Sequence, residues 1–172
     1  AFDVLTNNDT IKAETRVTLV RQLSNAAFAM AEGQSIDLSI VSKNVEIDLL
    51  YSMHRKKTGA LLQCAVMLGA LLKPDLSHED RAILTSFSES IGLAYQVQDD
   101  VLDVSTSDAV LGKRQNSDAD KGKPTFPSIL GMDESIKIYQ SMYEKACEDI
   151  SQLSVDEASL RGLTEKLMSR TY

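Results

Sequence analysis

Three aspartates, Asp99, Asp100 and Asp103, fall within the run Gln96-Val97-Gln98-Asp99-Asp100-Val101-Leu102-Asp103. On a helix each residue turns by about 100°. Asp99 and Asp103 are then four residues apart and Asp100 and Asp103 three, so all three carboxylates point roughly one way, with Gln96 one turn earlier. Like charges packed into two turns repel and destabilise an isolated helix. A positive partner would offset that. The natural one is a hard divalent cation with oxygen ligands, and Mg²⁺ commonly shares its carboxylates with the phosphates of a substrate.

An Asp-Asp-x-x-Asp run taken alone reads more readily as a solvated acidic helix end. Two features favour chemistry here. The aspartates are interleaved with Ala94, Val97, Val101 and Leu102, so their helix is packed around them. Two basic segments with glycine follow, Leu111-Gly112-Lys113-Arg114 and Lys121-Gly122-Lys123-Pro124-Thr125. Lysine beside glycine suits phosphate, because glycine lets backbone N–H groups approach an anion. Those lysines alone would be a surface loop. A second basic cluster, His54-Arg55-Lys56-Lys57, precedes Thr58-Gly59 inside a helical pattern. Glycine there costs about 1 kcal/mol relative to alanine, which points to a kink or a close approach. His54 reads as a surface or packing histidine rather than a metal ligand, and His78 sits at a helix start. The segment Gly33-Gln34-Ser35-Ile36-Asp37-Leu38 is a weak signal by itself, a helix C-cap and loop.

The elements that must position these residues are helices. Val17, Val20, Leu23, Ala27 and Met30 recur at helical spacing over about 12–31, with Gly33 near the end. A second helix over 46–72 carries Ile47, Leu50, Leu61, Ala65, Leu68 and Leu72, and Lys73-Pro74 stops it. Ser77, followed by Glu79 and Asp80, opens a third. It continues through Ile83, Leu84, Phe87, Ile91, Ala94, Val97 and Val101. Residues 105–125 read as a loop. Two further helices are predicted over 133–152 and 156–170, with Asp133 and Asp156 as caps. No stretch alternates as a strand does, so the fold class is all-α, a bundle of long helices in one domain.

Composition bounds the function. With 172 residues, 43% of them hydrophobic and 25% charged, the chain can bury a core without disulfides or a metal staple. A formal charge of −7 disfavours nucleic acid as the main partner. Cys64 and Cys147 follow no paired spacing and read as reduced thiols of a cytoplasmic protein. No apolar run reaches a membrane-spanning length. The apolar start Ala1-Phe2-Asp3-Val4-Leu5, without Met, reads as a chain cut from something longer.

The motifs together carry a resemblance. Gly33-Gln34-x-x-Asp37-Leu38, Lys57-Thr58-Gly59-Ala60-Leu61, Gly92-Leu93-Ala94-Tyr95-Gln96-Val97-Gln98-Asp99-Asp100-Val101-Leu102-Asp103, Leu111-Gly112-Lys113-Arg114-Gln115 and Gly122-Lys123-Pro124-Thr125-Phe126-Pro127 stand in this order over nearly the whole chain. The set resembles the trans-polyprenyl diphosphate synthase family, nearest its bacterial farnesyl diphosphate synthases (geranyltranstransferases). The resemblance implies an isoprenoid synthase-like bundle and a Mg²⁺-dependent prenyltransferase. Such an enzyme condenses isopentenyl diphosphate with an allylic diphosphate to give a farnesyl, geranyl or geranylgeranyl product. It implies that Asp99, Asp100 and Asp103 hold the metal, with Asp37 and Asp118 supporting that site from outside. It implies Lys57, Lys113, Lys123 and Gln34 at the substrate diphosphate, and Lys57, Thr58 and Gln96 near the reacting carbon. The segment from Ser105 to Lys123 becomes a candidate lid. The resemblance also implies a cytoplasmic homodimer whose first helix lies at the interface.

The family's first aspartate-rich motif and its arginine pair have no counterpart here. The chain therefore reads as the C-terminal portion of a synthase domain, 1–172, with the N-terminal helices absent and no condensation by the fragment alone. The alternative is a non-catalytic helical subunit or interaction protein that keeps half of the site. The intact aspartates, with Lys57, Thr58, Gln96, Lys113 and Lys123, favour the enzyme.

Overall fold

The computed structural model of the protein describes residues 1–109 and 122–169, with backbone only over 106–109. Among the described residues all regular structure is helical. In chain order the helices are α1 (Phe2–Thr6), α2 (Ala13–Ser39), α3 (Ile47–His54), α4 (Ala60–Ala70), α5 (His78–Ala109), α6 (Phe126–Leu130), α7 (Met132–Ser151) and α8 (Ala158–Met168). A π-helical turn, Arg55–Gly59, joins α3 to α4 without a break.

The 32 residues of α5 make the bundle's axis, about 48 Å long at 1.5 Å per residue. Its apolar spacing works on two sides. Phe87 and Ile91 pack against Ala146 and Ile150 of α7, while Val97 packs with Ile40, Leu50, Met53 and Phe126. A third cluster joins Leu23 and Ala26 of α2 to Cys64 of α4. Each fully buried side chain of the size of Ile91 or Phe126 contributes roughly 1.5–3 kcal/mol, so these clusters fix where α5 lies.

Ser77 starts α5 as expected, its hydroxyl accepting the Asp80 N–H at 2.9 Å. The Asp80 carboxylate in turn accepts the backbone N–H of Ser154 at 2.9 Å and its hydroxyl at 2.6 Å. That ties the start of α5 to the α7–α8 connection. Asp156 is not the cap of α8: Glu157 takes that place, and Asp156, one residue earlier, accepts the Ala158 N–H at 2.9 Å. Asp133 is not the cap of α7. Gly131, at φ 86°, takes that place and Asp133 lies in the first turn, where its charge favours the helix dipole.

Three sequence expectations change. Helix α2 runs past Gly33 to Ser39, and its inward residues are Leu19, Leu23, Ala26, Gly33 and Asp37. Val17 is left outside. The stripe expected along 46–72 holds through Leu50 and then loses phase. The π turn, with its wider hydrogen-bond spacing, rotates the following helix so that Cys64 and Met67 are buried and Ala65 and Leu72 exposed. Helix α5 extends to Ala109, so residues 105–109 are not loop. The short α6 has no counterpart among the expected helices. It is set by a capping box, in which Thr125 and Ser128 each bond the other's backbone N–H, and by Pro127 in its first turn.

Candidate active site

The π turn is the first feature of the site, and two glycines fit it. Gly33 of α2 lies flat against it: a Cβ on Gly33 would stand 2.6 Å from Lys57 Cα and 2.8 Å from Lys56 C, and would overlap Lys57 N as well. On the other side, a Cβ on Gly92 of α5 would meet Gly59 Cα at 3.4 Å. The kink expected at Lys57-Thr58-Gly59 is therefore a widened turn held between two helices that come unusually close. Gly33 is a contact glycine rather than a C-cap.

One turn after Gly33, Asp37 is 4% exposed. Its Oδ2 accepts from Lys57 Nζ at 2.9 Å and from Lys123 Nζ at 3.0 Å. Burial pushes the Asp37 carboxyl up, but the hydrogen bonds and charges of the two lysines outweigh it and hold the group below the usual carboxylate range. Two ammonium groups thus converge on one carboxylate, a local concentration of positive charge in an acidic protein. Gln34, one turn before Asp37, is exposed. Thr58 is half-buried on the π turn.

The acidic run lies on α5. Asp100 turns inward, its Oδ2 accepting the backbone N–H of Phe126 at 2.9 Å. Asp99 and Asp103 are half-buried. The helix spacing keeps the three on one side of α5, with Asp100 the most buried of them. Among the described residues no three His, Cys, Asp or Glu side chains gather closely enough to form a metal cage. The donor chemistry still fits Mg²⁺, which takes one or two carboxylates, waters and substrate phosphates rather than an all-protein cage. Lys113 and Asp118 lie outside the described residues, as do Arg114, Lys121 and most of the candidate lid.

His54 takes a larger part than the surface or packing role expected of it, and sequence reasoning missed its place in the site. It is buried, its Nδ1 is 3.1 Å from Gln96 Oε1, and its Nε2 is 3.7 Å from Asp100 Oδ2. Its ring stacks on Phe126 at 5.6 Å. The available signal was its position three residues before Lys57, on the same helical face.

The polyprenyl synthetase family model matches residues 1–158. The chain is 38% identical to the farnesyl diphosphate synthase of Escherichia coli strain K12, over 99% of this chain and 59% of that protein. It is 35% identical to the farnesyl diphosphate synthase of Haemophilus influenzae, over 99% of this chain and 58% of that one. Among solved structures, the geranylgeranyl pyrophosphate synthetase of Pyrococcus horikoshii superposes with a TM-score of 0.84 at 25% identity, over 99% of this chain and 63% of that chain. The chain spans about three-fifths of the length of the curated relatives it matches.

Proposed function

The chain belongs to the polyprenyl synthetase family, and on that premise we propose that it is the C-terminal portion of a short-chain isoprenyl diphosphate synthase. The reaction joins isopentenyl diphosphate to an allylic diphosphate. The allylic C–O bond breaks and pyrophosphate departs with the bonding pair. The isopentenyl double bond supplies the pair for the new C–C bond, and the adjacent carbon loses a proton. The observation that carries this reading is the pair of ammonium groups gathered on Asp37 beside the acidic turn of α5.

Lys57 and Lys123 bind the allylic diphosphate and neutralise charge as it leaves, and Asp37 holds both in place. Lys113 and Gln34 join them there. Asp99, Asp100 and Asp103 would hold Mg²⁺, with Asp37 and Asp118 in supporting roles, and when bound the ion would neutralise further charge on the leaving group. The Thr58 hydroxyl and Gln96 amide present dipoles to the developing cation without offering a strong nucleophile.

A homodimer is part of this reading. It is supported by Val17, Phe28 and Leu38 of α2, which are 67%, 68% and 65% exposed. No described helix is long and apolar enough to cross a membrane, and the free thiols Cys64 and Cys147 suit a reducing cytoplasm.

Incorporation of radiolabelled isopentenyl diphosphate tests the reading on a full-length synthase that contains this chain. Lys57→Ala should raise KM for the allylic substrate about tenfold or more, the loss of one charge-assisted contact, and change KM for isopentenyl diphosphate less. No incorporation by the unaltered enzyme, or an equal rise for both substrates, would remove Lys57 from this role.

A further inference from the structure

We propose that His54 is a positioning residue that fixes the side-chain amide of Gln96. The proposal rests on the reading of Gln96 as a dipole beside the developing cation. His54 is 6% exposed, so water does not serve its ring nitrogens. Nδ1 lies 3.1 Å from Gln96 Oε1. An amide oxygen only accepts, so Nδ1 carries the proton and donates. Oε1 keeps its second lone pair, and the bond to the ring stops the amide from turning over, which it does at little cost when unrestrained. A dipole stabilises a developing charge only when it is held in place beforehand.

The ring is itself held. It stacks on Phe126 at 5.6 Å with planes 26° apart, and Phe126 is wholly buried. The Phe126 N–H is anchored to Asp100 Oδ2. Asp100 and Gln96 stand one turn apart on α5, so the imidazole spans the two site residues of that helix. Nε2 is buried with no hydrogen-bond partner. An unpartnered buried nitrogen is unfavourable, and a leucine or phenylalanine would fill the same space without it. Nε2 faces Asp100 Oδ2 at 3.7 Å, beyond hydrogen-bonding distance, so the bond from Nδ1 to Gln96 is the hydrogen bond that accounts for an imidazole at this position.

The test separates the two nitrogens. His54→Asn keeps an N–H donor near the place of Nδ1, His54→Gln moves it near the place of Nε2, and His54→Leu removes both. In the condensing enzyme, His54→Leu and His54→Gln should lower kcat about 10²-fold, the cost of a misplaced catalytic group. KM for the allylic diphosphate should stay within about twofold, because ground-state binding is untouched. His54→Asn should recover most of the rate. In a Gln96→Leu background, His54→Leu should add nothing further. Equal losses for all three His54 variants, rescue by Gln rather than Asn, or a loss carried by KM alone would overturn the proposal.

A second readout does not need condensation. In ¹H–¹⁵N spectra of the 172-residue chain, the side-chain NH₂ signals of Gln96 should shift and broaden in His54→Leu, as the amide samples more orientations, and return in His54→Asn. Signals indifferent to His54 would sink the proposal even in an active enzyme. Responsive signals in a protein that never condenses would uphold the pair and reject the cation-side reading of Gln96.

Discussion

Asp37 accepts two ammonium groups on one carboxylate oxygen, and its protonation matters to the fold as well as to the site. Its folded pKa lies below the ordinary carboxylate value. The stability it contributes is therefore present at neutral pH, begins to fall near about pH 5, and is lost as the pH drops through the folded value. Asp37→Asn should cost about 1–3 kcal/mol at pH 7, moderated by the partial exposure of both lysines. The difference should shrink as the pH falls below the ordinary carboxylate value. Denaturation of both proteins across that range checks it, and a constant gap would show that Asp37 acts through packing. The aspartates of α5 should separate in the same way. Asp99→Ala should lower turnover by about 10²-fold or more, a loss of several kcal/mol of charge stabilisation, with a smaller fall in Tm than Asp100→Ala because its side chain is only half-buried. Asp100→Ala should lower both, because the buried Phe126 N–H loses its acceptor at about 1–3 kcal/mol. Parallel kinetics and melting decide it: equal Tm values for the two variants would contradict the inward bond of Asp100.

At the scale of the element, the π turn depends on how closely α2 approaches it. Gly33→Ala gains about 1 kcal/mol in helix propensity. The same methyl would overlap the backbone of Lys57, which has no flexible end to move aside. Overpacking of that kind costs about 1–3 kcal/mol, so the variant should be neutral to destabilised by about 2 kcal/mol, with Lys57 displaced from Asp37. Gly162, in the middle of α8, faces open space: a Cβ on it would meet nothing within 4 Å. Gly162→Ala should therefore stabilise by about 0.5–1 kcal/mol. Urea unfolding of the two variants makes the comparison. If Gly33→Ala gains as much stability as Gly162→Ala, α2 does not press on the turn.

At the scale of the whole molecule, the exposed apolar residues of α2 favour self-association. Val17, Phe28 and Leu38 are spread along most of the 27-residue helix α2, and exposed apolar surface of that kind favours association in water. Sedimentation should give a multiple of the 18.9 kDa chain mass. Phe28→Asp should shift the population toward monomer while leaving the helical content intact. A compact monomer at micromolar concentration would remove α2 as an interface. The same purified chain should incorporate no isopentenyl diphosphate alone, because a site open to water lacks both the electrostatic strength and the dryness that ionisation needs. Product formed by the monomer would overturn that expectation.

The helices are legible in the sequence because their apolar spacing and start signals are local: Ser77 at the start of α5, and Phe87, Ile91, Ala94, Val97 and Val101 along the inner side of α5. The acidic turn and the lysines are equally plain, because residue type and spacing need no partner to be read. The remainder depends on how the helices meet. The π turn follows from the approach of Gly33 and Gly92 with a helix between them, and it shifts the phase on which any periodicity over 46–72 relies. Lys123 reaches Asp37 across 86 residues, and His54 reaches Gln96 across 42. Asp100 faces inward because α6 offers it an N–H, and α6 is too short for a period to reveal. Each of these depends on surfaces that meet only after the chain has folded, and a linear pattern holds no record of which surfaces will meet.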